Sequence, residues 1–151
     1  MKLNELWNEY YKLPDNWEDE TFMDWINKLL AKDSNNIDYR HVYLQLLLDK
    51  GSDAEWEQEE PVFSNFCTSI IKDKDQHKPI TVAKAYCYRG DIKYYAIDRR
   101  KDFDKAMHIL KGLNQNDREV EYLKKIVELK YPLHVRDYLP IDRNYMDMFK
   151  I

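Results

Sequence analysis

Thiols, imidazoles and closely spaced carboxylates are the side chains with which a polypeptide does nucleophilic or acid–base work unaided. This chain has two cysteines, four histidines and 28 acidic residues. Cys67 with a distant histidine would make a thiol dyad. However, Cys67 and Cys87 both fall inside apolar helical patterns, with no C-x-x-C between them. That is the setting of small buried thiols in a reducing compartment, with a structural disulfide as the other option. His41, His77, His108 and His134 are far apart in sequence, and His41 and His108 sit within helices as packed or surface imidazoles. Glu55/Glu59 and Asp15/Asp19 have the four-residue spacing that aligns two carboxylates on one helical face. Such pairs serve solvated surfaces as readily as acid–base machinery. H-E-x-x-H, G-x-x-x-x-G-K and G-x-G-x-x-G are absent, and three glycines are too few for most phosphate cradles. The expectation is a non-catalytic protein with no metal site and no cofactor.

Binding chemistry is better represented. Asp53, Glu55, Glu57, Glu59 and Glu60 surround Trp56, and Asp15, Glu18, Asp19, Glu20 and Asp24 lie among Trp17 and Trp25. Acidic surface interleaved with large aromatics suits a basic protein partner, because charge raises the encounter rate and aromatics anchor the contact. The candidate partner-binding residues are Asp53, Glu55, Trp56, Glu57, Glu59 and Glu60, joined by Asp19, Glu20 and Asp24. The competing reading is two solvated helix N-termini. An alternative basic patch is Arg89, Lys93 and Arg100, placed on one helical face near Tyr88 and Tyr95. It has the composition for single-stranded nucleic acid, but interspersed Asp91, Asp98, Asp102 and Asp104 blunt its field. A pI of about 5.6 also disfavours nucleic acid.

These residues must be positioned by helices. Three glycines and five prolines in 151 residues leave too little turn chemistry for an all-β fold. With 44% hydrophobic residues, the chain can bury a core as one domain, 1–151. Its charge is lopsided. Residues 1–75 carry a net −9 and residues 76–151 a net +5, so an acidic half precedes a basic one. There is no apolar run of signal-peptide or membrane-span length, which makes the cytoplasm the expected location.

Apolar spacing predicts a helix through Leu3, Leu6, Trp7, Tyr10 and Leu13, stopped by Pro14, with Asp15 and Glu18 as a capping box for the next. That next helix carries Phe22, Trp25, Ile26, Leu29 and Leu30. After a loop at 33–36, Tyr39, Val42, Tyr43, Leu46 and Leu47 form a third, closed by Gly51 as a left-handed cap. Ser52 and Glu55 form a capping box, and acid in a first turn favours the helix dipole. Pro61 is a kink or a new start. On an unbroken helix, Trp56 extends the stripe of Phe63, Phe66, Cys67, Ile70 and Ile71 as a core residue; otherwise it is a rim aromatic. A polar loop at 72–78 precedes a long helix after Pro79, with Ala83, Tyr86, Cys87, Gly90, Tyr94 and Ile97 on one face. Phe103, Ala106, Met107, Leu110 and Leu113 mark the next. Asn116 and Glu119 cap a helix through Val120, Leu123 and Val127 that Pro132 ends. A tail with Val135, Tyr138, Leu139, Tyr145, Met148 and Phe149 follows. The fold class is all-α: a single domain of seven or eight antiparallel helices packed as helical hairpins.

Within this pattern AYCYRGD (85–91), KDFDKAMHIL (101–110) and LNQND (113–117) resemble successive segments of a tetratricopeptide-type repeat over residues 83–123. Gly90 and Ala106 would permit close helix contact, with Tyr86 and Phe103 filling the gaps. The resemblance implies a helical-hairpin scaffold that binds proteins and carries over no catalytic residue. The expected function is a small acidic immunity- or antitoxin-type protein that occludes a basic partner such as a nuclease toxin. The alternatives are a tetratricopeptide-like adaptor with a peptide groove and an RNA-associated helical protein.

Overall fold

The apolar stripes become helices wherever the computed structural model describes the chain, at residues 1–13, 20–93 and 96–131. Among these residues α1 runs Leu3–Lys12, α2 Glu20–Lys32, α3 Ile37–Lys50, α4 Asp53–Lys72, α5 Pro79–Asp91, α6 Ala96–Lys111 and α7 Arg118–Lys130. A 3₁₀ turn at Lys74–Gln76 links α4 to α5, and the described residues contain no strand. The capping box expected at Asp15/Glu18, together with Trp17, Asp19, Tyr94, Tyr95 and the tail from Pro132 onward, lies outside the described residues.

Side-chain caps fix three of the helix starts. Asn36 accepts from the Asp38 and Tyr39 amides at 3.0 and 3.2 Å, opening α3. Ser52 Oγ accepts from the Glu55 amide at 3.2 Å, as the capping pattern requires for α4. Asp117, rather than Asn116, caps α7 through the Glu119 amide at 2.9 Å. The Asn116 amide instead donates to the side chain of Asn114, and Glu119 is drawn into the core.

Three further expectations are corrected. The long helix through Ile97 is two elements, because α5 ends at Asp91 and α6 begins at Ala96. The apolar period continues across a break that it cannot signal. Gly51 caps α3 in extended geometry, φ −95° and ψ −169°, not left-handed. Its requirement is space, since an added Cβ would stand 2.8 Å from the Leu47 carbonyl oxygen. Pro61 interrupts nothing. It lies exposed inside the continuous α4, and Trp56 consequently stays on the inward stripe, half-buried against the core.

Consecutive helices from α2 to α7 pack on one another, and α5 touches α3, α4, α6 and α7. A helix surrounded in this way must be buried on nearly every side. Val82, Ala83, Lys84, Ala85, Cys87, Tyr88, Gly90 and Asp91 are all buried. Its small residues let neighbours close in: a Cβ at Gly90 would lie 3.0 Å from two ring carbons of Phe103 on α6. The N-terminal helix returns to the far end of the fold. Leu3, Leu6 and Trp7 are buried, and the Leu3 amide donates to Glu119 Oε1 of α7 at 3.2 Å. One continuous core joins residues of all seven helices.

Candidate partner-binding cleft and the buried polar core

The central helix carries three polar residues into the core at helical spacing, Lys84, Tyr88 and Asp91. Facing them on α3 are Asp38, His41 and Gln45, also buried and also on one stripe. Burial of this much polarity is tolerable only where each group finds a partner. Lys84 Nζ lies 2.7 Å from Asp38 Oδ2 and 3.1 Å from Glu119 Oε2. Tyr88 donates its hydroxyl to Asp38 Oδ1 at 2.6 Å. At the other end, His41 Nε2 is 3.1 Å from Asp91 Oδ2, Gln45 Nε2 donates to the same oxygen at 3.3 Å, and Lys130 of α7 pairs with Asp91 Oδ1 at 2.9 Å. The two halves meet where the His41 ring lies on that of Tyr88.

The charges follow from this geometry. Burial alone would push the Asp91 carboxyl up, but the Lys130 charge and the hydrogen bond and charge of His41 outweigh it, holding the acid well below its usual range. Burial would likewise pull Lys84 down, yet Asp38 and Glu119 together raise it. Because an ionised Asp91 can only accept, His41 donates to it through Nε2. The His41 Nδ1 has no hydrogen-bond partner among the described residues. The imidazole is 1% exposed and tied to Asp91 through Nε2. Both thiols are buried and free. Burial pushes Cys67 up to about 12 and raises Cys87 well above its ordinary value, so neither is an activated nucleophile. The arrangement joins α3, α5 and α7; it presents no reacting atom to solvent. No group of three or more metal-ligating side chains comes together among the described residues.

A second ionic cluster accounts for the predicted basic patch. Arg89 reaches Asp102 through Nε at 2.9 Å and through a second nitrogen, Nη2, at 2.6 Å, and Lys93 adds a contact at 2.9 Å. Arg89 also donates to Thr68 at 3.0 Å, so the cluster ties α4, α5 and α6 together. Arg100 is on α6, not on the helix of Arg89; it donates to the Tyr131 carbonyl at 2.8 Å and lies over that residue's ring. Arg89 and Lys93 therefore converge on Asp102 while Arg100 lies apart from them, and each is engaged within the fold.

The acidic residues are arranged differently. Asp53, Glu55 and Glu57 are exposed at the start of α4, Glu59 and Glu60 are half-buried, and Asp24 is exposed on α2. Glu20 begins α2, and Asp19 lies outside the described residues. Helical spacing divides the five carboxylates of α4 between two flanks of the inward stripe. Asp53, Glu57 and Glu60 follow one flank. Glu55 and Glu59 follow the other, in line with Val62. On that second flank an open cleft of about 250 Å³ lies between α2, α3 and α4, with Leu30, Leu44 and Phe63 among its apolar walls and Tyr43, Glu59 and Val62 at its mouth. Burial, then Glu59, then Glu55 raise the Tyr43 phenol above its ordinary value, which ties both carboxylates to this opening. Arg40 closes the far end, donating to the Ser34 carbonyl at 2.8 Å with its guanidinium 4.0 Å above the Phe66 ring. Among the described residues Glu59 has no ion-pair or hydrogen-bond partner. Val62, 51% exposed, is one of the few large apolar side chains left in solvent.

Sequence reasoning found Glu59, with Glu55 one turn before it, but missed the cleft that Glu59 borders, because Leu30, Tyr43 and Val62 come from three helices. No family model matches the chain, and comparison with curated proteins and with solved structures finds no match.

Proposed function

We propose that this protein is a non-catalytic binding protein that covers a basic protein partner, in the manner of an immunity or antitoxin protein occluding a nuclease-type toxin. The observation that carries the reading is the unequal treatment of charge. The polar groups of the interior, and Arg89, Lys93 and Arg100, are engaged with one another or with backbone, whereas Asp53, Glu55 and Glu57 face solvent and Glu59 stands unpaired beside an apolar cleft. Exposed like charges raise the encounter rate with an oppositely charged surface, and adjoining aromatic and apolar groups hold it after contact.

The test is capture of the partner on the tagged full chain, followed by association kinetics across a salt series. The expected partner is basic, and its association rate falls steeply as ionic strength rises. Joint replacement of Glu57, Glu59 and Glu60 by lysine abolishes capture and leaves the helical circular-dichroism signal intact. Undiminished capture by that variant rejects the reading.

A second reading, a tetratricopeptide-like adaptor, has one observation in its favour. Helix α5 touches both α3 and α7 directly while α4 and α6 intervene in the chain, as stacked helical hairpins require. An adaptor would bind short peptides, tolerate the glutamate changes and respond to substitutions at Tyr86.

A further inference from the structure

We infer that the α2–α3–α4 cleft is the anchoring point for the partner and takes a segment with an apolar side chain next to a lysine or arginine. This deepens the binding reading above and rests on it for the identity of the partner, though not for the chemistry of the cleft. Three features define the occupant. The interior of the cleft is apolar, with Leu30, Leu44 and Phe63 from three different helices, and its volume of about 250 Å³ leaves room for an apolar side chain of leucine size or larger. Its mouth is acidic on the α4 side, where Glu59 is unpaired among the described residues and Glu55 follows one turn away. Its far end holds a cation already engaged by backbone and ring, Arg40, which would repel a second cation there. An apolar side chain in the cleft therefore places a neighbouring cation at Glu59 and not at Arg40. An acidic neighbour would meet Glu59 and Glu55 and be repelled. Nucleic acid is disfavoured by the same two carboxylates, which would face its phosphates.

The test uses the full chain, 15N-labelled, titrated with three blocked tetrapeptides: acetyl-Lys-Leu-Leu-Lys-amide, acetyl-Glu-Leu-Leu-Glu-amide and acetyl-Lys-Ser-Ser-Lys-amide. Saturable shifts at the Tyr43, Leu44 and Val62 amides are expected with the first alone. Glu59→Gln weakens that binding about threefold to fivefold, the scale of a partly exposed ion pair. Val62→Arg, at a solvent-facing position, abolishes it while the melting temperature holds. Equal response to all three peptides, no response at millimolar concentration, or shifts centred elsewhere overturns the inference. The two readings fail separately. If the lysine triple variant loses the captured partner while Val62→Arg keeps it, the acidic surface stands and the cleft is not its anchor. If the triple variant keeps the partner, the function falls, and the peptide titration still decides the cleft.

Discussion

The imidazole of His41 lies flat on the phenol ring of Tyr88, with centroids 4.0 Å apart and planes within 2°. Each ring also serves a different buried carboxylate, His41 serving Asp91 and Tyr88 serving Asp38. The stack therefore joins two ionic centres that would otherwise be separate. Tyr88→Phe keeps the stack and removes one hydrogen bond to a charged acceptor. It is expected to cost about 1.5–3 kcal/mol in urea unfolding, the range for hydrogen bonds to ionised groups.

Lys84 is the more sensitive position, because Asp38 and Glu119 both depend on it. Lys84→Met leaves two carboxylates beside an apolar side chain and should cost about 3–5 kcal/mol. Restoring balance with Asp38→Leu and Glu119→Gln in the same chain should recover much of the loss, since an apolar replacement of a buried ion pair is often neutral. A triple variant no more stable than the single one would show that the cluster is not energetically coupled.

The two shifted groups set opposite pH limits. Asp91 is depressed in the fold, so its contribution is present above the unfolded value near ~3.9 and is lost as pH falls through the lower folded value. Lys84 is raised, so its contribution is present below ~10.4 and is lost as pH rises through the higher folded value. Asp91→Asn should flatten the acid side of a stability profile below about pH 4, and Lys84→Met the alkaline side above about pH 10. Thermal melts across the pH range check both limbs independently.

Two glycines make opposite predictions. A methyl group at Gly90 would press on Phe103, a ring with no exposure and no room to move. Gly90→Ala should therefore destabilise by about 1–3 kcal/mol despite the better helix propensity of alanine. At Gly112 the nearest atom to an added Cβ is the Ile109 carbonyl oxygen at 3.5 Å, and the backbone is not left-handed. Gly112→Ala should stabilise by about 0.4–1 kcal/mol through the unfolded chain. Paired denaturant titrations decide both signs.

The helices were legible because three-four apolar spacing is a local signal, and it located every described α-helix. The break between Asp91 and Ala96 was not, since the period of Cys87 and Gly90 runs on undisturbed across it. The polar core was hidden for another reason. Lys84 and Asp91 are charged residues of a kind that sequence reasoning assigns to solvent, and only the enclosure of α5 by four helices shows that they must be paired. Asp38, His41 and Gln45 carry a faint signal, polar residues at i, i+3 and i+7 on a helix whose remaining faces are already apolar. The candidate site was half legible: the acid of α4 stands in the sequence, whereas the cleft exists only after α2, α3 and α4 assemble.

Glu60 tests whether the inward stripe of α4 or its acidity governs that helix. Trp56, Phe63, Cys67 and Ile70 form the core-facing row, and Glu60, four residues after Trp56 and three before Phe63, stands at its edge. Burial alone raises it, and no cation among the described residues offsets the cost. For an acid raised in the fold, the carboxylate form opposes folding above its unfolded value near ~4.3, and the penalty vanishes when both states are protonated. Glu60→Gln should accordingly stabilise at pH 7 by no more than a few tenths of a kcal/mol after solvent screening, because the group is only partly buried. At about pH 3 the two proteins should melt together. A Glu60→Gln protein less stable at pH 7, or equally altered at both pH values, would mean that the carboxylate has a favourable role that burial does not explain.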